Sequence, residues 1–176
     1  TVCVSTGTAA LHLALQAAGV GVGDEVLVQS LTYVASFQSI SATGAKPVAC
    51  EVDPETLCLD WKDAEKRLTA KTKAVMPVHY SGGVGALDEI YAFAEKYKLR
   101  VIEDASHAIG GKYLEDPIGS CKYSDITVFS FHPVKIITTA EGGLATTNSK
   151  KLAEKMQIYR SHGVTRNEEL MNKASE

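Results

Sequence analysis

The sequence has few aromatic residues and no marked excess of either charge. Aromatic residues make up 7% of the 176 residues, and 18 lysines and arginines stand against 21 aspartates and glutamates, for a net charge of -3. This balance argues against a broad electrostatic surface for nucleic acid. No apolar stretch approaches the roughly 20 residues needed to span a bilayer, and no basic and then hydrophobic leader opens the chain. We therefore expect a cytoplasmic protein that binds neither nucleic acid nor membrane.

Cysteine is scarce, and several chemical motifs are missing. The four cysteines are not arranged as C-x-x-C, so free thiols are favoured over a disulfide framework. The five histidines include no pair at metal-ligand spacing, so no metal site is expected. The chain also has no G-x-S-x-G elbow and no Walker loop, which leaves an α/β hydrolase and a P-loop NTPase without support.

What the sequence does contain is an alternation of short β-branched runs with longer segments of helical spacing. This alternation is typical of an α/β domain in which helices cover a mostly parallel sheet in three layers. The predicted helices cover residues 9–18, 32–43, 61–68, 87–98 and 150–159. The predicted strands cover residues 26–28, 47–52, 75–78, 101–102, 126–131 and 144–146. Ligands of such sheets bind at the carboxyl ends of the strands, which directs attention to residues 30–33, 79–81, 103–107 and 130–135.

Two of these loops carry a lysine and an acid of special interest. Lys135 lies in a largely apolar stretch, where an ammonium is costly unless it is paired or its pKa falls, and such lysines form Schiff bases. The alternative is a loop lysine whose ammonium reaches solvent. Asp104 follows an apolar run and could instead cap the next segment. Together, Lys135 and Asp104 would supply the covalent lysine and the pyridine-nitrogen partner of a pyridoxal phosphate site.

The segment that leads into the first predicted helix could hold the phosphate of such a cofactor. Gly7 would allow a close backbone approach, while Thr8 and Ala9 would offer amides and a hydroxyl at a helix amino terminus. A plain capped helix explains the same residues. Ser130 could donate a further hydroxyl, and Tyr33 could stack on the pyridine ring unless it serves only packing.

The order of these motifs resembles the DegT/DnrJ/EryC1/StrS family of sugar aminotransferases over residues from Ser5 to about Arg166. Each motif is weak alone, but their joint order is specific. The matching segments are STGTAAL at 5–11, GDEV at 23–26, PVHYSG at 77–82, EDASHA at 103–108, SFHPVK at 130–135, EGG at 141–143 and RSHG at 160–163.

The resemblance implies the aspartate aminotransferase (type I) fold and pyridoxal 5'-phosphate (PLP) as cofactor. Residues 1–176 would form its large, PLP-binding domain, with an N-terminal arm and a small C-terminal domain outside this sequence, and the protein would be a homodimer. Lys135 would bind the cofactor covalently and carry the proton, which places the chain apart from a dehydrating branch that has histidine there. The other implied cofactor-binding residues are Gly7, Thr8, Ala9, Tyr33, Asp104, His107 and Ser130, with His107 at a position near the cofactor's phenolic oxygen.

Within the family, residues 78–82 and 129–139 look most like the UDP-4-keto-6-deoxy-hexosamine 4-aminotransferases of pseudaminic acid synthesis. The 4-amino-arabinose transferases of lipid A modification are a close second. Both would transfer an amino group, typically from glutamate, to C4 of a UDP-linked keto sugar. The alternatives are a PLP-dependent dehydratase or lyase on the same fold, and an inactive or regulatory relative.

Overall fold

The computed structural model describes residues 1–165, 167 and 171, so Arg166, the expected end of the resemblance, lies outside the described residues. No helix in this part of the chain is long and apolar enough to cross a bilayer. The helices are α1 (Gly7–Ala17), α2 (Val34–Ala42), α3 (Trp61–Lys66), α4 (Leu87–Tyr97) and α5 (Lys150–Arg160). The strands are β1 (Val2–Val4), β2 (Glu25–Gln29), β3 (Lys46–Cys50), β4 (Thr72–Met76), β5 (Arg100–Asp104), β6 (Lys112–Tyr113), β7 (Asp116–Pro117), β8 (Ile126–Ser130) and β9 (Gly143–Thr146).

Seven strands form one sheet in the order β1-β9-β8-β5-β4-β2-β3. The five strands from β8 to β3 run parallel, whereas β9 is antiparallel to both β8 and β1. The chain passes from β2 outward to β3 and then returns to β4 on the other side of β2. A reversal of strand order of this kind opens a crevice at the carboxyl ends of the strands, where ligands of such sheets bind.

Alternate side chains of the buried strands face helices on opposite sides. Val26 and Val28 of β2 share a core with Leu11 of α1, and that core also includes residues of α2 and α5. Leu27, between them in sequence, packs instead in the core that contains Ile90 of α4 and part of α3. The period of two along a strand produces this division. The predicted three-layer α/β fold with a mostly parallel sheet is confirmed.

The predicted helices and strands are all present, with boundaries displaced by a few residues. Helix α1 begins at Gly7, two residues before the predicted start, because the hydroxyl of Thr6 accepts a hydrogen bond from the Ala9 amide and caps the helix there. Helix α2 begins at Val34 and not at Thr32, because Tyr33 has extended backbone dihedrals.

Several short elements were absent from the sequence prediction. Strand β1 has three residues and is held by pairing with β9, and β6 and β7 form a hairpin with two residues in each strand. Leu114, in the hairpin turn, has a φ of 51° without the glycine that marks such turns. A single helical turn over Tyr80–Gly82 also contains a non-glycine residue with positive φ, Ser81. Segments this short are below the length at which hydrophobic periodicity is informative.

Gly143 is required where β9 meets the start of α1. A Cβ atom at this position would overlap the carbonyl oxygen of Thr6, which is backbone and cannot rotate away. We expect Gly143→Ala to lower the free energy of unfolding by about 1–3 kcal/mol, as overpacking in a tight interior does. Gly21→Ala is the matched control, because nothing lies within 4 Å of the Cβ it would add. Urea unfolding of both variants checks this expectation, and equal midpoints would contradict it.

Candidate active site

A pocket of about 660 Å³ opens at the carboxyl ends of β2, β4, β5 and β8, beside the amino terminus of α1. All four loops singled out in the sequence contribute to its wall, although they are far apart in the chain. The parallel pairing of these strands places their carboxyl ends at one edge of the sheet. The predicted residues that line it are Gly7, Thr8, Tyr33, Asp104, His107, Ser130 and Lys135.

Lys135 and His107 are in direct contact within this pocket. The Nζ atom of Lys135 lies 2.6 Å from Nε2 of His107. Removal from water lowers the pKa of Lys135, and the nearby Asp104 carboxylate opposes that shift. Removal from water lowers the pKa of His107, and the positive charge of Lys135 lowers it further. The Asp104 carboxylate acts in the opposite direction and raises it. A neutral imidazole can therefore accept a hydrogen bond from Lys135, whose amine loses its proton more readily than that of an ordinary lysine.

The environment of Lys135 differs from the one that its neighbours in the sequence suggest. Val134 and Ile136 are 74% and 66% exposed, and Lys135 is half-buried. The apolar run around the lysine is thus not packed in the interior of this chain. The walls of the pocket, rather than the adjacent apolar side chains, account for the partial removal of the amine from water.

Asp104 is buried at the end of β5 and has a hydrogen-bond donor on each carboxylate oxygen. The hydroxyl of Ser36 donates to Oδ2 at 2.8 Å, and the hydroxyl and amide of Ser106 donate to Oδ1 at 2.6 and 3.2 Å. The Ser106 contacts close a tight local turn, and no helix begins there, so the helix-cap interpretation of Asp104 is wrong. Nothing in the local sequence pointed to Ser36 or Ser106 as partners of this acid.

The start of α1 faces the same pocket. Gly7 packs so closely on Ser130 that a Cβ on Gly7 would lie 2.7 Å from the Ser130 Cβ. Among the described residues, no acceptor within the chain is bonded to the amides of Gly7 and Thr8. The Ala9 amide, in contrast, is bonded to Thr6, and Ala9 does not line the pocket. An anion at this end of α1 would meet the first two amides and the hydroxyl of Ser130, rather than Ala9.

Tyr33 lies at the mouth of the pocket and is 74% exposed. It occupies the residue before α2, and its side chain makes no capping hydrogen bond. Half-buried packing, the alternative interpretation, does not describe a side chain with this much exposure. Its ring is available to a ligand in the pocket.

A buried polar network behind Asp104 was not predicted. Nε2 of His79 lies 2.7 Å from Glu103 Oε2, and Thr127 donates to the other oxygen of Glu103 at 2.9 Å. Burial alone would raise the pKa of Glu103, but His79, Ser124 and Thr127 together hold it below its usual value. The backbone amide of His79 also donates to the Asp104 carbonyl. This network fixes β4 and β5 beneath the site, and only the positions of His79 and Glu103 after predicted strands hinted at it.

The known proteins that this chain resembles agree with one another in family and fold. The sequence profile of the DegT/DnrJ/EryC1/StrS aminotransferase family matches residues 1–175. GDP-perosamine synthase of Caulobacter vibrioides is 47% identical over 166 residues, which are 94% of this chain and 44% of that protein. The solved structure of NtdA from Bacillus subtilis with bound cofactor PMP has a TM-score of 0.88 at 34% identity, over 94% of this chain and 38% of that one. DesI in the presence of its TDP-sugar product has a TM-score of 0.88 at 33% identity, over 94% and 41%.

These relatives refine the predictions in two ways. The expected cofactor is confirmed at the level of the family, since structural neighbours hold it in its PLP or PMP form. The finer resemblance to the UDP-sugar aminotransferases of pseudaminic acid synthesis is not supported, because the relative at 47% identity is a GDP-perosamine synthase. The chain spans less than half of the length of the relatives described above.

Proposed function

Because this chain belongs to the DegT/DnrJ/EryC1/StrS aminotransferase family, we propose that it forms the cofactor-binding domain of a PLP-dependent nucleotide-sugar aminotransferase. The enzyme transfers the amino group of glutamate to the C4 keto carbon of a nucleotide-linked 6-deoxy sugar, and glutamate leaves as 2-oxoglutarate. The observation that carries this proposal is the pocket in which Lys135 meets His107 beside the buried carboxylate of Asp104.

The residues of the pocket fit PLP. The open amides of Gly7 and Thr8 and the hydroxyl of Ser130 suit a phosphate group, and Gly7 leaves no side chain in the way. Asp104 is an acceptor for a protonated ring nitrogen, and Lys135 is an amine that can form a Schiff base. Tyr33 offers an exposed ring for stacking at the mouth. Ala9 has no contact with the pocket, so we leave it out of this set.

Lys135 acts as base and acid in both half-reactions. When bound, PLP supplies an aldehyde for the amine and a ring that accepts the electron pair left by deprotonation. Lys135 Nζ removes the proton from Cα of glutamate, and in the second half-reaction it delivers a proton to the sugar carbon that receives nitrogen. Its lowered pKa increases the fraction of neutral amine available for the first step. His107, in contact with Nζ, accepts its hydrogen bond and orients it.

A GDP-linked sugar is the substrate that we propose, because GDP-perosamine synthase is 47% identical to this chain over 166 residues. We expect the complete protein to convert GDP-linked 4-keto-6-deoxy sugar with a kcat/KM at least about tenfold above that for the UDP-linked and TDP-linked sugars, a difference of about 1.4 kcal/mol in transition-state binding. Formation of 2-oxoglutarate, followed with each nucleotide sugar in turn, measures this.

The same assay separates the alternatives. A preference for the UDP-linked sugar would favour instead the UDP-sugar aminotransferases that residues 78–82 and 129–139 resemble. A dehydratase or lyase would release product without consuming glutamate in equal amount. An absence of turnover and of cofactor binding in the complete protein would indicate an inactive relative.

We also propose that the enzyme works as a homodimer in the cytoplasm. Apolar side chains remain exposed on Tyr33 and Val134, which line the pocket, and on their neighbours in the sequence, Val34, Ile136 and Ile137. These side chains are suited to cover by a second copy. Nucleotide sugars and glutamate are available inside the cell, where free thiols such as those of the four cysteines persist.

A further inference from the structure

Ser36 connects α2 to the acid of the candidate site. It is fully buried, and its hydroxyl lies 2.8 Å from Asp104 Oδ2, across 68 positions of the sequence. Helix α2 packs on α1, so this contact joins the acid at the end of β5 to the helical layer on one face of the sheet. The contact depends on the hydroxyl and not on the size of the side chain, since an alanine would fill a similar space.

The hydrogen bonds around Ser36 have a defined direction. An ionised carboxylate has no proton to donate, so the single Ser36 proton goes to Asp104. The 2.8 Å contact between Ser36 Oγ and Thr32 Oγ1 must then be donated by Thr32. Thr32 lines the pocket, and the resulting chain of donors runs from the pocket wall through Ser36 to the buried acid. Each bond increases the polarity of the next, which strengthens the hydrogen bond that the Asp104 carboxylate accepts.

We infer that Ser36 is a positioning residue that holds the carboxylate of Asp104 in place to meet the ring nitrogen of the cofactor. The inference rests on the proposed function. Ser106 holds Oδ1 through a local turn, but Ser36 is the donor to Oδ2 and the one that ties the carboxylate to a separate element. Without Ser36, Oδ2 loses the donor that it has among the described residues, and a buried carboxylate oxygen is left without that hydrogen bond.

The other titratable groups around Asp104 do not duplicate this role. His107 follows on the same loop, and Lys135 comes from the loop after β8; both lie close enough for the Asp104 charge to affect their pKa values. On the β4 side, the ring of His79 is paired with Glu103. From α2, the group that contacts the carboxylate is the uncharged hydroxyl of Ser36, so its removal changes no formal charge at the site.

Ser36→Ala in the complete protein tests the inference, with Ser39→Ala as the matched control. Ser39 lies on the same helix and is equally buried, but its hydroxyl donates to the Ser36 carbonyl and not to Asp104. The probe is pyridoxamine phosphate, which binds without the covalent lysine link. Ser36→Ala should weaken its binding about tenfold, the effect of one hydrogen bond to a charged group, whereas Ser39→Ala should change it less than about twofold.

The absorption spectrum of bound pyridoxamine phosphate gives a readout that a merely structural defect would not move. A misplaced carboxylate holds the proton on the ring nitrogen less well, so the spectrum of the Ser36→Ala complex should change toward that of the unprotonated ring. The spectrum of the Ser39→Ala complex should match that of wild type. Equal affinities and equal spectra in the two variants would overturn the inference.

A second variant and a wild-type binding measurement distinguish failure of this inference from failure to fold and from failure of the proposed function. If Ser36→Ala does not fold, Ser36→Cys retains a side chain of similar size with a weaker donor, and wild-type affinity in that variant would refute a role for the hydroxyl. If the wild-type complete protein binds no pyridoxamine phosphate, the proposed function fails. If it binds normally and only the Ser36 comparison shows no difference, the further inference alone fails.

Discussion

Lys135→Ala is expected to abolish covalent attachment of PLP and to slow the half-reaction with glutamate by about 10⁴-fold in the complete protein. The variant loses both the amine that forms the Schiff base and the group that moves the proton. Borohydride reduction followed by mass spectrometry of the peptides reports the first loss, and single-turnover absorbance changes report the second. Binding of pyridoxamine phosphate should remain within about tenfold of wild type, because Asp104 and the start of α1 are unchanged.

Lys135→Arg is the matched control for charge. It keeps a cation near His107 and Asp104 but offers no amine for a Schiff base. Both variants should therefore lack the borohydride-trapped adduct, whatever their affinity for pyridoxamine phosphate. A pyridoxyl peptide recovered from Lys135→Ala, attached to another lysine, would show that the covalent residue has been assigned wrongly.

Asp104→Asn should slow both half-reactions by about 10³-fold while the protein still folds and retains some cofactor. The amide is nearly the same shape as the carboxylate, but it carries no charge to hold the ring nitrogen protonated. Single-turnover kinetics with glutamate, and separately with the keto sugar, measure the effect. Rates close to wild type would rule out the proposed role of Asp104.

The same substitution has an expected effect on its neighbours that needs no cofactor. The Asp104 carboxylate raises the pKa of both His107 and Lys135, against the larger lowering caused by their removal from water. Loss of the negative charge should therefore lower both pKa values further. An NMR titration of the His107 ring in the apoprotein checks the direction, and a rise in the His107 pKa would contradict the arrangement of charges described here. Asp125→Asn, at the opposite end of β8, is a control that should leave His107 unaffected.

The start of α1 shows what the local sequence could predict and what it could not. Gly7, Thr8 and Ala9 were consistent with a capped helix, and the structure has one, with Thr6 as the capping residue. The same segment also suggested Ala9 as a phosphate ligand, but the Thr6 cap occupies the Ala9 amide. The choice between capping and ligand binding depends on which amides are already bonded, and that is settled by the geometry of a single turn.

Lys135 lines the pocket, although one premise of its prediction was incorrect. Its apolar neighbours suggested a buried stretch, yet Val134 and Ile136 are exposed in this chain. The lysine nevertheless reaches the pocket, because β8 is parallel to β5 and their loops emerge at the same edge of the sheet. Hydrophobicity along a loop does not report burial, since burial depends on what the rest of the fold places beside it.

The sequence by itself determined the class of fold, the loops that carry polar groups, and the lysine and acid on which the proposed chemistry depends. These properties follow from side-chain periodicity and turn residues, which act over a few positions. The tertiary structure decided which of these groups meet: His107 with Lys135, and Ser36 with Asp104. Such pairs join segments far apart in the chain, and their contact depends on strand order and register, which local patterns leave undetermined.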